Sequence, residues 1–170
     1  MKSSARLCVK KNVEFDPESV AAAKQKALSL LDKRDYSRAE LLRKLTEKGY
    51  ADAAAQAAVD RLTELGFVDD GRYAPIVVRH YAAKGYGRAR VRMELQRRGI
   101  PKALWDTALE EMPEQDETLD RLLRARLRGA MPDDRDALKR ATDALQRRGY
   151  GWEEISVAVS RLRTESEEES

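Results

Sequence analysis

Cysteine and histidine each occur once in the 170 residues, as Cys8 and His80. An internal disulfide is therefore excluded, and a structural zinc site, which draws four ligands from those two residue types, is out of reach. A Cys–His catalytic pair would have to join Cys8, in a polar amino terminus, to His80, which follows an apolar stretch, and is discounted. No apolar run approaches the ~20 residues that cross a bilayer, and the chain opens without a signal peptide. The expected setting is the reducing cytoplasm, with no membrane partner. Neither G-x-x-x-x-G-K-[ST] nor G-x-G-x-x-G occurs, so the common phosphate-cradling loops are missing as well. No enzyme and no cofactor is expected. Aromatic residues make up only 6% of the chain, too few for the strand-rich cores of sandwiches and barrels.

What is abundant is Ala, Leu, Arg and Glu, the strong helix formers. Charged residues reach 37% and hydrophobic ones 42%, with a net charge of +3, a balance that favours thin, well-solvated helices. Gly49, Gly99 and Gly149 lie fifty residues apart. Around them Leu45, Leu95 and Leu145 coincide, as do Ala58, Ala108 and Ala158, then Leu62, Met112 and Leu162. Tyr36 pairs with Tyr86, and Arg38-Ala39 with Arg88-Ala89. A chance glycine spacing would not bring its apolar neighbours into register, so the chain is read as a repeat.

Each repeat reads as three helices. Ala27, Leu30 and Leu31 form the stripe of a half-buried first helix. Ser37 followed by Glu40 has the capping-box pattern at the start of the second, whose face is Leu41, Leu42 and Leu45 and which ends at Gly49. The third carries Ala55, Ala58, Val59 and Leu62 and stops at Gly66. In the next repeat Asp69 or Asp70 caps a helix burying Tyr73, Ile76, Val77 and Tyr81. Val91 and Leu95 follow, and Pro101 opens a helix with Leu104, Trp105, Ala108 and Leu109. The last repeat uses Leu119, Leu122, Leu123 and Leu127, then Leu138 and Leu145, then Trp152, Ile155, Val159 and Leu162, with Pro132 in its first loop. The acidic stretch 110–120, which contains Pro113, reads as a flexible joint.

The expected fold is all-α: an elongated, curved tandem array of three three-helix repeats, since short helices gain stability from stacked neighbours. The repeats are assigned to 17–68, 69–112 and 113–163. Residues 1–16 and the acidic tail 164–170 are expected to be disordered.

Charge is distributed unevenly. Lys84 to Lys102 holds seven bases against Glu94 alone, and Arg121 to Arg148 holds nine bases against four acids. In the repeat register Arg90, Arg97 and Arg98 answer to Arg140, Arg147 and Arg148, where the first repeat has Glu40, Glu47 and Lys48. Positions seven apart share a helix face, and arginine makes forked contacts to phosphate and carboxylate. The expected partner- and DNA-binding residues are accordingly Lys84, Arg88, Arg90, Arg97, Arg98, Arg140, Arg147 and Arg148. Trp105 and Trp152 are assigned to core packing and His80 to packing or partial exposure. Tyr36, Tyr50, Tyr86 and Tyr150 are assigned to inter-helix corners. Asp69-Asp70 supplies too few ligands for a metal cage.

The stretch Gly66-Phe67-Val68-Asp69-Asp70-Gly71-Arg72-Tyr73-Ala74 resembles the Gly-Tyr-x-Asn/Asp-Asp-x-x-Phe-Ala segment of the RecX family. Glu94-Leu95-Gln96-Arg97-Arg98-Gly99-Ile100 is similar to the family's Glu-Leu-x-x-Lys-Gly-Ile, and Ser37 to Leu45 follows its Ser-x-x-Glu-Leu-x-x-x-Leu. The resemblance spans about Ala27 to Leu162. It implies tandem three-helix repeats and a non-enzymatic, monomeric regulator of the recombinase RecA in DNA repair and homologous recombination. Such a regulator lies in the groove of the RecA–DNA filament and limits filament growth, strand exchange and ATP hydrolysis. It meets single- or double-stranded DNA through the filament. The alternative is a free-standing nucleic-acid binder of little sequence preference, because the second helices carry charge but few Asn or Gln side chains to read base edges.

Overall fold

The computed structural model describes residues 17–130 and 133–168, so the expectations for 1–16, for 169–170 and for Pro132 lie outside the described residues. All of its regular structure is helical. Residues 17–35 with 41–68 form one compact unit, and residues 36–40 with 69–168 form a second.

The first unit contains α1 (Pro17–Leu31), most of α2 (Arg38–Glu47) and α3 (Asp52–Glu64). α1 packs on α3. Both offer alanines at the buried positions, Ala23 and Ala27 against Ala54, Ala55 and Ala58, which lets the two backbones approach closely. Leu41, Leu45, Val59 and Leu62 supply the larger buried groups. α2 ends where Gly49 turns left-handed at φ +90°, and the Tyr50 amide bonds back to the Leu45 carbonyl at 3.2 Å.

The second unit holds α4 (Asp70–Ala83), α5 (Arg88–Arg97) and a 3₁₀ turn (Lys102–Leu104) leading into α6 (Trp105–Glu110). α7 (Asp116–Leu127), α8 (Arg135–Arg147) and α9 (Trp152–Glu168) complete it. Asp69, not Asp70, caps α4, its carboxylate accepting from the Arg72 amide at 3.1 Å. Tyr73, Ala74, Val77, Val78, Val91, Leu95, Ile100 and Leu109 form one apolar cluster. Leu119, Leu123, Leu127, Ala141, Leu145, Tyr150, Ile155 and Val159 form another. Trp105 packs against the former and donates its indole N–H to the Ile100 carbonyl at 2.9 Å.

Four local expectations are corrected. Ile76, assigned to the buried side of α4, is exposed. Trp152, assigned to the core, is 64% exposed, because it occupies the first turn of α9 ahead of the first buried residue, Ile155. Asp116–Asp120 is not part of a joint but opens α7, where Asp116 and Asp120 hold Arg161 of α9. Residues 164–168, expected to be disordered, continue α9, with Glu165 paired to Arg124 of α7.

Candidate partner-binding surface

The expected basic face is built at the ends of α5 and α8, and the fifty-residue repeat sets its geometry. Ser37, within the second unit, makes both halves of a capping box. Its hydroxyl accepts from the Glu40 amide at 3.0 Å, and its own amide donates to the Glu40 carboxylate at 3.1 Å. The same hydroxyl donates to the carbonyl of Arg98. Fifty residues on, the amide of Gly87 donates to the carbonyl of Arg148 at 2.9 Å, and Ala89 donates to Gly149 at 3.1 Å. The cap position of one second helix thus binds the carboxyl end of the next one along the chain, twice over. The approach is close: a Cβ on Gly87 would lie 2.4 Å from the Gly149 backbone, one on Gly149 2.4 Å from the Arg90 amide nitrogen, and one on Gly99 2.4 Å from the Ala39 Cβ.

This docking divides the arginines. The side chain of Arg98 is only 15% exposed. Its Nη1 lies 3.2 Å from the buried Glu40 carboxylate and donates to the Tyr73 hydroxyl at 2.6 Å. Burial works against its charge, but Tyr81, Tyr73 and Glu40 outweigh that and hold its pKa above the ordinary guanidinium value. Arg148 turns to α4, where Nε donates to the Gly85 carbonyl at 3.0 Å and Nη2 to the Lys84 carbonyl at 2.8 Å. Its guanidinium lies 5.0 Å from the Tyr86 ring centroid. Both arginines therefore hold the fold, Arg98 largely buried and Arg148 half-buried.

Arg90 and Arg97 gather at Glu94, which is only 5% exposed. Arg97 meets its carboxylate at 2.8 Å and Arg90 at 3.6 Å. Burial pushes the Glu94 carboxyl up, but hydrogen bonds from Arg97 and Tyr81 and the charge of Arg90 outweigh it and hold it below the usual carboxylate range. Arg97 nonetheless leaves 65% of its side chain in solvent, whereas Arg90 also covers the Tyr86 ring. Lys84 is exposed, with its ammonium 5.6 Å from the Tyr81 ring.

Arg88, Arg140 and Arg147 are exposed and make no ion pair among the described residues. The backbone bonds from Gly87 and Ala89 bring the start of α5, with Arg88, against the end of α8, with Arg147. Arg140 lies two turns back on the same face of α8. Solvated guanidinium groups so placed suit phosphates or carboxylates. That Ser37, Glu40, Glu94 and Tyr73 would meet these arginines is not given by the sequence reading, which has Ser37 and Glu40 as a capping box and Tyr73 as buried. A signal was present in the capping box, which places Glu40 beside a helix end, but nothing local says that an arginine 58 residues later will meet it.

Among the described residues no group of three or more His, Cys, Asp or Glu is placed to hold a metal ion, and no helix is long and apolar enough to cross a membrane.

Comparison with known proteins places this architecture. A family model described as the first three-helix domain of RecX matches residues 23–62, and one described as the second matches residues 69–109. Regulatory protein RecX of Stenotrophomonas maltophilia is 43% identical over 136 residues, 79% of this chain and 83% of the relative. Regulatory protein RecX of Vibrio campbellii is 34% identical over 140 residues, covering 82% and 90%. A crystal structure of regulatory protein RecX matches with a TM-score of 0.76 at 20% identity, over 82% of this chain and 72% of that one. RecX from Lactobacillus salivarius gives 0.72 at 20% identity, over 85% and 97%. The two crystal structures speak to the fold, and the relatives at higher identity to descent. The chain belongs to the RecX family of regulatory proteins.

Proposed function

We propose that this protein is a non-enzymatic modulator of the RecA recombinase that docks in the groove of the RecA–DNA filament and limits filament growth, strand exchange and ATP hydrolysis. The observation that carries the reading is the likeness to regulatory protein RecX over four-fifths of the chain, 43% identical in one relative. The surface supports it. Arg88, Arg140 and Arg147 stand in solvent without ion pairs among the described residues, and Arg97 keeps most of its guanidinium exposed. These four supply the attraction to phosphates and acidic side chains, with Lys84 beside them, while Arg90, Arg98 and Arg148 position the helices that carry them. The protein acts from the cytoplasm as a monomer built from three repeats, 17–68, 69–112 and 113–163. DNA is met through the filament.

Co-sedimentation with RecA filaments assembled on single-stranded DNA tests this, with the naked strand as control. The expected outcome is retention on the filament well above that on DNA alone. Equal retention on naked DNA, with a steep loss on adding salt, would replace the proposal with a free-standing nucleic-acid binder.

A further inference from the structure

A groove of about 450 Å³ runs between α8 and α9. Trp152 and the half-buried Leu138 give its exposed apolar lining, over a floor of Ile155, which is fully buried, and Val159, which is nearly so. The repeat register explains why it is there. In the second repeat the corresponding crevice between α5 and α6 is spanned by Arg92 and Asp106, 3.8 Å apart. Fifty residues on stand Thr142 and Ser156, too short to meet, so the crevice stays open. Trp152 falls where the other repeats carry Asp52, which opens α3, and Lys102, which opens the 3₁₀ turn before α6, both exposed. A charged residue there is indifferent to solvent. A tryptophan 64% exposed beside an open apolar groove forfeits burial that packing elsewhere in the chain does not restore.

The rim has a sign. Arg135, Lys139 and Arg163 line it against one carboxylate, Asp143. Arg135 makes no ion pair among the described residues, Lys139 is paired to Asp143 at 3.0 Å, and Arg163 lies 3.8 Å from Asp133. Two of the hydroxyls offer little to a ligand's polar edge: Thr142 donates to the Lys139 carbonyl and Ser160 to the Ser156 carbonyl, each at 3.0 Å. Gln146 and Ser156 add exposed polar groups to the lining, and the exposed ring of Trp152 is its largest apolar surface.

We infer that the α8–α9 groove is a docking site for an acidic peptide segment of a partner protein, one that sets bulky apolar side chains against Trp152 and the half-buried Leu138 and its carboxylates against Arg135, Lys139 and Arg163. The apolar anchors supply the affinity and the basic rim selects charge and orientation. The groove runs along α8 from Arg135 to Gln146, so its occupancy is measured with the protein alone, without a recombinase filament.

The test uses the full chain and a labelled synthetic helix of Glu and Leu with leucines at i, i+3 and i+7, read by fluorescence anisotropy. In parallel, the two indole N–H signals are followed by NMR, the Trp152 signal being assigned with Trp152→Lys. Saturable binding that moves the Trp152 indole signal and leaves that of Trp105 in place is expected. Trp152→Lys, which restores the second repeat's residue at a solvent position, lowers affinity about tenfold, as does Thr142→Arg with Ser156→Asp, which rebuilds the bridging pair. Arg135→Glu with Lys139→Glu lowers it about fivefold and removes its salt dependence. The proposal is overturned by absence of saturable binding, or by parent-like affinity in the groove variants. It is equally overturned if the Trp152 signal moves with oligothymidylate and not with the peptide, or with protein concentration alone, which would mark a second copy as the occupant.

Discussion

Arg98 and Arg148 close their helices at equivalent points of the repeat, each followed by a left-handed glycine, at φ +68° and +94°. Each lends its backbone carbonyl to the cap position of the preceding second helix, Ser37 for one and Gly87 for the other. Their side chains part company there. Arg98 meets Glu40, a buried carboxylate, and the Tyr73 hydroxyl. The residue fifty beyond Glu40 is Arg90, already drawn to Glu94, so Arg148 has no carboxylate to meet and takes the carbonyls at the end of α4 instead. A cation at a helix carboxyl terminus is favoured by the unpaired carbonyls and the dipole, so both solutions are stable. The repeat therefore preserves where an arginine starts from and leaves its partner to local charge. A register of matching arginines describes a scaffold first. Of the basic residues near these ends, Arg88, Arg140 and Arg147 make no ion pair among the described residues, and Arg97 stays largely in solvent although paired to Glu94.

The comparison breaks most severely at the glycines. Gly149→Ala places a methyl group 2.4 Å from the Arg90 amide nitrogen and enforces an unfavourable positive φ. Together these cost about 4 kcal/mol in urea unfolding. Gly49→Ala, where nothing lies within 4 Å of the added carbon, costs only the conformational part, about 1 kcal/mol. A similar loss at both positions would show that close docking contributes nothing.

Arg98→Ala comes next. It leaves Glu40 buried without its cation and lowers stability by about 3 kcal/mol. Arg148→Ala removes hydrogen bonds to carbonyls at a partly exposed corner and costs about 1.5 kcal/mol. Thermal or urea unfolding of the pair reads the difference, and equal values would erase the contrast between the two corners.

Glu94 sharpens the comparison through pH. Its folded pKa lies below its ordinary value of 4.5. The unfolded chain therefore takes up the proton first as pH falls. The stability this carboxylate supplies is whole above that value and is lost on acidification through the lower folded one. Glu94→Gln is expected to flatten the acid limb of the stability–pH curve; an unchanged limb would show that Arg97 and Arg90 do not hold the charge. The smallest effect belongs to Arg140→Glu with Arg147→Glu, exposed and unpaired, which changes stability by less than about 0.5 kcal/mol.

Much of this was legible beforehand, for identifiable reasons. The glycine register is a steric demand of backbone meeting backbone, and such demands leave a mark in sequence. The capping box at Ser37 and Glu40 is a local hydrogen-bond pattern, and the structure contains both of its bonds. The fate of Arg98 was not legible, because a guanidinium on a long flexible stem goes wherever a distant carboxylate lies. Trp152 was misread because its spacing to Ile155 and Val159 fits a buried stripe, whereas the first turn of α9 starts outside the core. Residues 164–168 show no apolar periodicity of their own. Their helix is supported from outside, by Arg124 of α7 pairing with Glu165.

The division of the arginines into anchors and contacts is tested most directly by RecA-catalysed strand exchange with Arg140→Glu/Arg147→Glu, its unfolding curve recorded alongside. The account predicts inhibition lost or greatly weakened while the unfolding midpoint stays at that of the parent. Full inhibition by this variant, with the fold equally intact, would contradict it.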